Sequence, residues 1–345
     1  MTDFYENLKV GPVFIVAELS ANHNQDFDLA VETIKAAKSA GANAIKLQTY
    51  KPDTLTLNSK KKDFIISNNS IWDNMTYYDL YNKAFTPWEW HEKLFKVAKE
   101  IGLICFSTPF DKSSVDYLEK LNNPIYKVAS FEITDIPLIK YIASKGKPII
   151  FSSGISSEED IKLAIKTTRD EGNDQIVLLK CTSSYPAPFD EANLIMIKDF
   201  KKKFKVITGL SDHTLGLISP IIATSLGARI IEKHLILNKN IESPDSSFSL
   251  TKNEFKEMVN AIRKTEKAIG KVDYNLTNTQ KKGKIFSRSL YICKDVKEGE
   301  IITKNNIRSV RPGFGLHPKH YYKILGKKFK RNLNYGDRLN IEDIN

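Results

Sequence analysis

The sequence predicts an α/β fold, a (β/α)₈ TIM barrel followed by a small β-rich C-terminal domain. Three observations lead there. Eight short apolar segments recur between residues 13 and 232, most of them followed by a stretch of helical periodicity. Glycines stand at 41, 102, 146, 172, 227 and 270, where the intervening helices would need a left-handed last residue. After the first segment the chain reads Ser20-Ala21-Asn22-His23, with no glycine-rich phosphate loop, which argues against an open doubly wound sheet.

Taken in order, the predicted strands are 13–18, 44–48, 103–107, 125–128, 148–151, 176–180, 206–210 and 229–232. Asp26 can cap a helix running to Gly41. Thr86-Pro87-Trp88-Glu89 reads as a capping box with proline at the first helical position. Ser156 with Glu159, and Thr251 with Glu254, read as further capping boxes, and 217–226 as a helix closed by Gly227. One connection, 49–85, is far longer than a barrel loop needs. It falls on the face where barrel chemistry lies, so it is expected to serve function. Its Lys60–Lys62 run reads as solvated surface.

The barrel is assigned to 1–270, a linker to 271–284 and the small domain to 285–345. The last of these is strand- and turn-rich, with a tight turn at 334–337. At this length it is expected to bury little core of its own and to lean on another surface.

Of the net charge of +11, residues 281–345 carry +10, with 16 Lys and Arg against 6 Asp and Glu. Such a tail could serve nucleic acid, a membrane surface or an acidic small molecule. It has no zinc motif, long basic helix or basic strand face interleaved with aromatics, so neither nucleic acid nor a membrane is the expected partner. Three widely spaced cysteines argue against disulfides and a Cys-based zinc site, and fit a reducing cytoplasm. The opening MTDFYENLKVG lacks a basic start and an apolar core, so no signal peptide is expected.

In a barrel the chemistry sits at the carboxyl ends of strands. Those ends offer Glu18, then Lys46 and Gln48, Thr108, Lys127 with Ser130 and Glu132, Ser152, Ser183 with Tyr185, Ser211 with His213, and Lys233 with His234. Two lysines among Ser and Thr hydroxyls suit a phosphate with an adjacent carboxylate, since ammonium charge and hydroxyl donors together bind dianions. Glu18, Gln48, Glu132 and Asp245 can accept hydrogen bonds from a sugar. His213 and His234, placed just past neighbouring strand ends beside Ser211, Asp212 and Lys233, can hold a divalent cation. A lone Ser or Thr at a strand end usually bonds only its own backbone. A lysine inside an apolar strand is costly without a counter-charge, which singles out Lys46 and Lys127.

The motifs AELSANHNQ (17–25), IKLQT (45–49), STPFD (107–111), YKVASFE (126–132), SSGIS (152–156), CTSSYPAP (181–188), GLSDHT (209–214), EKH (232–234) and SPDSSFSL (243–250) resemble the sialic acid (nonulosonic acid) synthase family. SRSLY (287–291) and RPGFGL (311–316) look like its antifreeze-protein-like (SAF) domain. The resemblance implies a transferase that condenses phosphoenolpyruvate with an N-acetylated amino sugar. By it, Lys46, Thr108, Lys127, Ser130, Ser152, Ser183 and Ser211 correspond to phosphoenolpyruvate contacts, although the family often has Asn where Ser183 stands. It makes His213 and His234 ligands of Mn²⁺ or Mg²⁺, and Glu18, Gln48, Tyr185 and Asp245, with Glu132, the acceptor side. It also implies a domain-swapped homodimer in which Arg311 of one subunit meets the acceptor N-acetyl group in its partner. LSANHNQ and SPDSSFS, with Ser246 where neuraminate synthases carry His, look like the branch acting on a 2,4-diacetamido-2,4,6-trideoxy-altrose.

Overall fold

A computed structural model describes residues 4–67 and 72–345. Strands β1 (Phe14–Glu18), β2 (Ala44–Thr49), β3 (Ile104–Pro109), β4 (Tyr126–Val128), β5 (Ile149–Ser152), β6 (Ile176–Cys181), β7 (Ile207–Asp212) and β8 (Ile230–Ile236) pair in parallel, each with the next. β8 returns to β1 with Val16 opposite Glu232 and Glu18 opposite His234, which closes the barrel.

Period-2 alternation sorts the side chains. Val16, Ala44, Phe106, Ile150, Val177, Leu179 and Ile230 fill the interior. Ile15, Ala17, Ile45, Leu47, Leu210 and Ile231 face the helices. Burial of each Val, Leu, Ile or Phe among them contributes about 1.5–3 kcal/mol. The helix Phe4–Val10, too short to announce itself by periodicity, brings Leu8, Phe4 and Tyr5 into the interior cluster.

The helix signals hold in part. Asp26 accepts from the Leu29 N–H at 3.1 Å, and Gly41 ends Phe27–Ala40 at φ +95°, where an added Cβ would also lie 3.0 Å from Val259 Cγ1. Thr251 and Glu254 form their capping box. The Ser156–Glu159 box is one residue out: Ser157 and Asp160 cap each other, because S-x-x-D recurs in the adjacent register. Thr86 does not cap Trp88–Glu100, whose N-cap is Pro87. Its Oγ1 instead meets His23 Nε2 at 3.1 Å.

Strand β8 runs four residues beyond its predicted end. It pairs with β1 as far as His234, and Leu235–Ile236 pairs with β9 (Leu250–Thr251). His234 therefore lies inside a strand rather than past one, whereas His213 directly follows β7. The 49–85 connection contains the helices Pro52–Leu55 and Tyr77–Ala84, with Ile65 bridged to Thr76.

The chain divides into two compact units, up to Gly270 and from Lys271. Part of the assigned linker is helical, Asn278–Gly283, capped by Thr277. The second unit pairs β10 (Ser289–Ile292) antiparallel with β11 (Ile307–Val310). It has a core of its own, including Leu290, Ile292, Ile307, Phe329, Leu333 and Leu339, so the expectation of little core is corrected. Its turns and bridges fold many short segments onto one another, which chain length alone does not reveal. No helix among the described residues is long and apolar enough to cross a membrane.

Candidate active site

A cavity of about 490 Å³ opens at the carboxyl ends of the barrel strands. Twelve of the predicted residues line it: Glu18, Lys46, Gln48, Lys127, Ser130, Glu132, Ser152, Tyr185, Ser211, His213, His234 and Asp245. Thr108 and Ser183 lie just behind the lining. Thr108 Oγ1 accepts from Lys46 Nζ at 3.3 Å, and Ser183 shares a 2.7 Å hydrogen bond with Ser130. Arg311 belongs to the second unit, immediately after β11.

At the floor, Lys46 Nζ lies 2.5 Å from Glu18 Oε2 and 3.7 Å from Glu232 Oε1. Burial opposes the Lys46 charge, but these two carboxylates outweigh it and raise its pKa, so Lys46 is an ammonium. The carboxylates titrate as a pair. Burial pushes Glu18 up. Glu232 is equally buried, but Lys46, Lys127 and a 3.1 Å hydrogen bond from Ser211 hold it down. Lys127 is different. Among the described residues its Nζ donates to Ser152 Oγ at 2.7 Å and Val128 O at 3.0 Å, and burial pulls its pKa down. An ammonium with no contact ion pair among the described residues can receive an anion.

His213 and His234 face each other with ring centroids 5.4 Å apart. His213 Nδ1 sits 3.1 Å from the Thr182 carbonyl, so an Nδ1–H donating there leaves Nε2 with its lone pair. His234 Nδ1 is buried without a hydrogen bond, 3.5 Å from Asp245 Oδ2. Burial resists the Asp245 charge, but His234, Ser20 and the Ala21 N–H keep its carboxyl below the usual range. The two imidazoles supply nitrogen donors, and among the described residues no group of three His, Cys, Asp or Glu side chains is arranged to hold a metal ion.

Lys233 and Asp212, expected beside the histidines, are not there. They pair with each other at 2.5 Å, and neither lines the cavity. Alternation along β8 puts Glu232 and His234 on the inner face and Lys233 on the outer. Glu232 is thus the functional candidate the sequence reading missed. The E-x-H spacing in EKH was the signal for it. His23 is structural: buried against Trp90 and bonded to Thr86, its pKa pushed down to about 4.

The apolar part of the lining comes largely from the long connection. Leu55, Ile66, Trp72, Tyr77, Leu80 and Tyr81 join Tyr50 and Phe131 there. Residues 68–71 of that connection lie outside the described residues. Lys60–Lys62 are exposed, as expected of a solvated run.

Glu132 also lines the cavity, and burial raises its pKa from 4.5 to about 7. The folded state thus binds more protons than the unfolded chain between those values. Stability from this group is full below about 4.5 and lost as pH rises through about 7. Glu132→Gln is therefore expected to stabilise the protein above pH 7 by up to about 3 kcal/mol, with a smaller gain near pH 5.5. Urea unfolding of both forms at the two pH values checks it, and an equal difference at both would refute the assignment.

Two family models match the chain: the NeuB family over residues 33–274, and the SAF domain over 287–344. The pseudaminic acid synthase of Campylobacter jejuni subsp. jejuni serotype O:23/36 (strain 81-176) is 48% identical, covering 96% of each chain. That of Helicobacter pylori (strain ATCC 700392 / 26695) is 48% identical, covering 96% of this chain and 98% of its own. A crystal structure of N-acetylneuraminic acid (sialic acid) synthetase from Leptospira borgpetersenii serovar Hardjo-bovis, in complex with citrate, superposes with a TM-score of 0.71 at 29% identity. It covers 79% of this chain and 90% of its own.

Proposed function

The chain belongs to the NeuB family, and on that premise we propose that it acts as a pseudaminic acid synthase. It condenses phosphoenolpyruvate with 2,4-diacetamido-2,4,6-trideoxy-β-L-altropyranose to give pseudaminic acid and phosphate. What carries this reading is the near-complete overlap with two pseudaminic acid synthases. The cavity supports it, with ammonium and hydroxyl groups at one end for a phosphate and carboxylate. Its aromatic wall suits a deoxy sugar bearing acetamido methyls.

C3 of phosphoenolpyruvate attacks the aldehyde carbon of the open-chain sugar, water adds at C2, and phosphate leaves with cleavage of the C–O bond. Lys46 and Lys127 offset the charge of phosphate and carboxylate, with Thr108, Ser130, Ser152, Ser183 and Ser211 supplying or backing hydroxyl donors. Gln48, Glu132, Tyr185 and Asp245 orient the acceptor, and Glu18 orients the sugar or the water. His213 and His234 would hold Mn²⁺ or Mg²⁺, which when bound supplies a Lewis acid for the acceptor carbonyl. Phosphoenolpyruvate is made in the cytoplasm, and the reaction belongs there.

The test is mass spectrometry of the products formed from phosphoenolpyruvate and a panel of acceptors, before and after treatment with a chelator. The altrose derivative should be used with the highest kcat/KM and N-acetylmannosamine poorly, and chelation should stop turnover until Mn²⁺ is restored. Preference for N-acetylmannosamine or for the legionaminate precursor would move the chain to a sister activity. Full turnover after complete metal removal would end the metal assignment.

The basic second unit completes the proposal as a swapped homodimer in which Arg311 meets the acceptor held by the partner barrel. Inactive His213→Ala and Arg311→Ala subunits, mixed and allowed to exchange, should then recover activity. One site of each mixed dimer carries both defects and the other neither. Proven heterodimers without recovery would show that Arg311 does not act across subunits.

A further inference from the structure

A second cavity of about 340 Å³ lies on the outside of the barrel wall, bordered by the start of helix Glu158–Asp170 and the length of helix Met196–Phe204. Ile161, Met196, Phe200 and Phe204 give it apolar walls. Among its polar residues is Lys180. Leu179 belongs to the barrel interior and Cys181 lines the main cavity, so alternation along β6 turns Lys180 outward to this second space.

Lys180 Nζ donates to Cys181 O at 2.7 Å and Thr182 Oγ1 at 3.3 Å, and no ion pair joins it to a carboxylate among the described residues. Ser156 Oγ, on the same rim, is buried without a hydrogen-bond partner. The acidic rim residues are already matched, since Lys203 reaches Glu158 at 2.7 Å and Asp199 at 3.6 Å. The separation from the main cavity is one turn thick. A Cβ on Gly154 would lie 1.9 Å from Ser183 Oγ, so the turn carrying Ser156 backs directly onto the Ser130–Ser183 pair.

We propose that this cavity is a second small-molecule site, taking a carboxylate with an apolar body. One ammonium and one free hydroxyl give a single carboxylate a donor for each oxygen. A phosphate dianion would bring a second charge against Glu158 and Asp199, and Lys203, the other cation of the lining, is already paired with both. The apolar walls take the rest of the ligand.

Hexanoate is the probe, with hexan-1-ol as its uncharged counterpart, and binding is measured by calorimetry on the full chain. Wild type should bind hexanoate at least about tenfold more tightly than hexan-1-ol, a charge-assisted margin. Lys180→Met keeps the stem and loses the charge, so it should remove that margin, and Ser156→Ala should weaken hexanoate several-fold. Lys127→Met, altered in the main cavity, should bind hexanoate as wild type does. Thermal melts confirm that each variant is folded. Equal binding by Lys180→Met and wild type, or loss of binding in Lys127→Met, would overturn the assignment. None of these readouts uses turnover, so the result stands apart from the synthase reading.

Discussion

Replacing Lys127 with methionine is expected to lower kcat/KM for phosphoenolpyruvate by about 10²–10³-fold while leaving stability within about 1 kcal/mol of wild type. The two effects separate because of how the residue is held. Its ammonium has one hydroxyl and one carbonyl as partners, and burial already disfavours its charge. Removing it relieves a desolvation cost, and the methionine stem fills a similar volume. A substrate carrying a phosphate and a carboxylate loses the cation that its own charge would have satisfied. The wild type should also gain stability as pH rises from the lowered Lys127 value toward 10.5, since the unfolded chain binds more protons in that window. The variant should lack that slope. Denaturant unfolding and steady-state kinetics together check this, and a loss of stability above about 3 kcal/mol would mean that Lys127 holds the barrel together.

Lys46→Met should behave in the opposite way, losing about 3–5 kcal/mol of stability as well as activity. Lys46 stands between Glu18 and Glu232, both buried at the cavity floor, and its removal leaves Glu18 without its ion pair and Glu232 dependent on Lys127. One must then take up a proton. The penalty should therefore grow as pH rises above 4.5, the ordinary value of these carboxyls. Adding Glu18→Gln should restore most of the lost stability and none of the activity. A single variant that unfolds within about 1 kcal/mol of wild type would show that the three charges are solvated rather than mutually compensated.

Lysines of the same type, on the inner faces of strands in one barrel, thus carry different burdens. The sequence marks both as anomalous, because each interrupts an apolar strand. It does not show which is paired. That depends on register: β1 and β8 pair so that Glu18 lies opposite His234, and this brings Glu232 toward Lys46.

Other elements were legible for local reasons. The strands, the Asp26 and Thr251 caps and the helix-ending glycines follow from periodicity and capping chemistry within a few residues. Most strand-end candidates reached the cavity because a barrel places every carboxyl end on one face. Errors entered where a long-range partner competed with the local signal. Thr86 bonds His23 instead of capping its helix, and β8 continues past Glu232 because β1 and β9 extend its pairing.

The amino-acid sequence by itself determined the barrel, the inventory of charged and hydroxyl groups at its mouth, and the family. Each rests on residue type and on spacings of two to four along the chain. Only the tertiary structure decided that Glu232 joins the site while Lys233 and Asp212 leave it, and that the long connection supplies the aromatic wall. It alone showed that Lys180 faces a cavity of its own. These depend on which face of a strand points inward, and on what lies opposite it. That is settled by closing the barrel, where residues more than two hundred positions apart become neighbours.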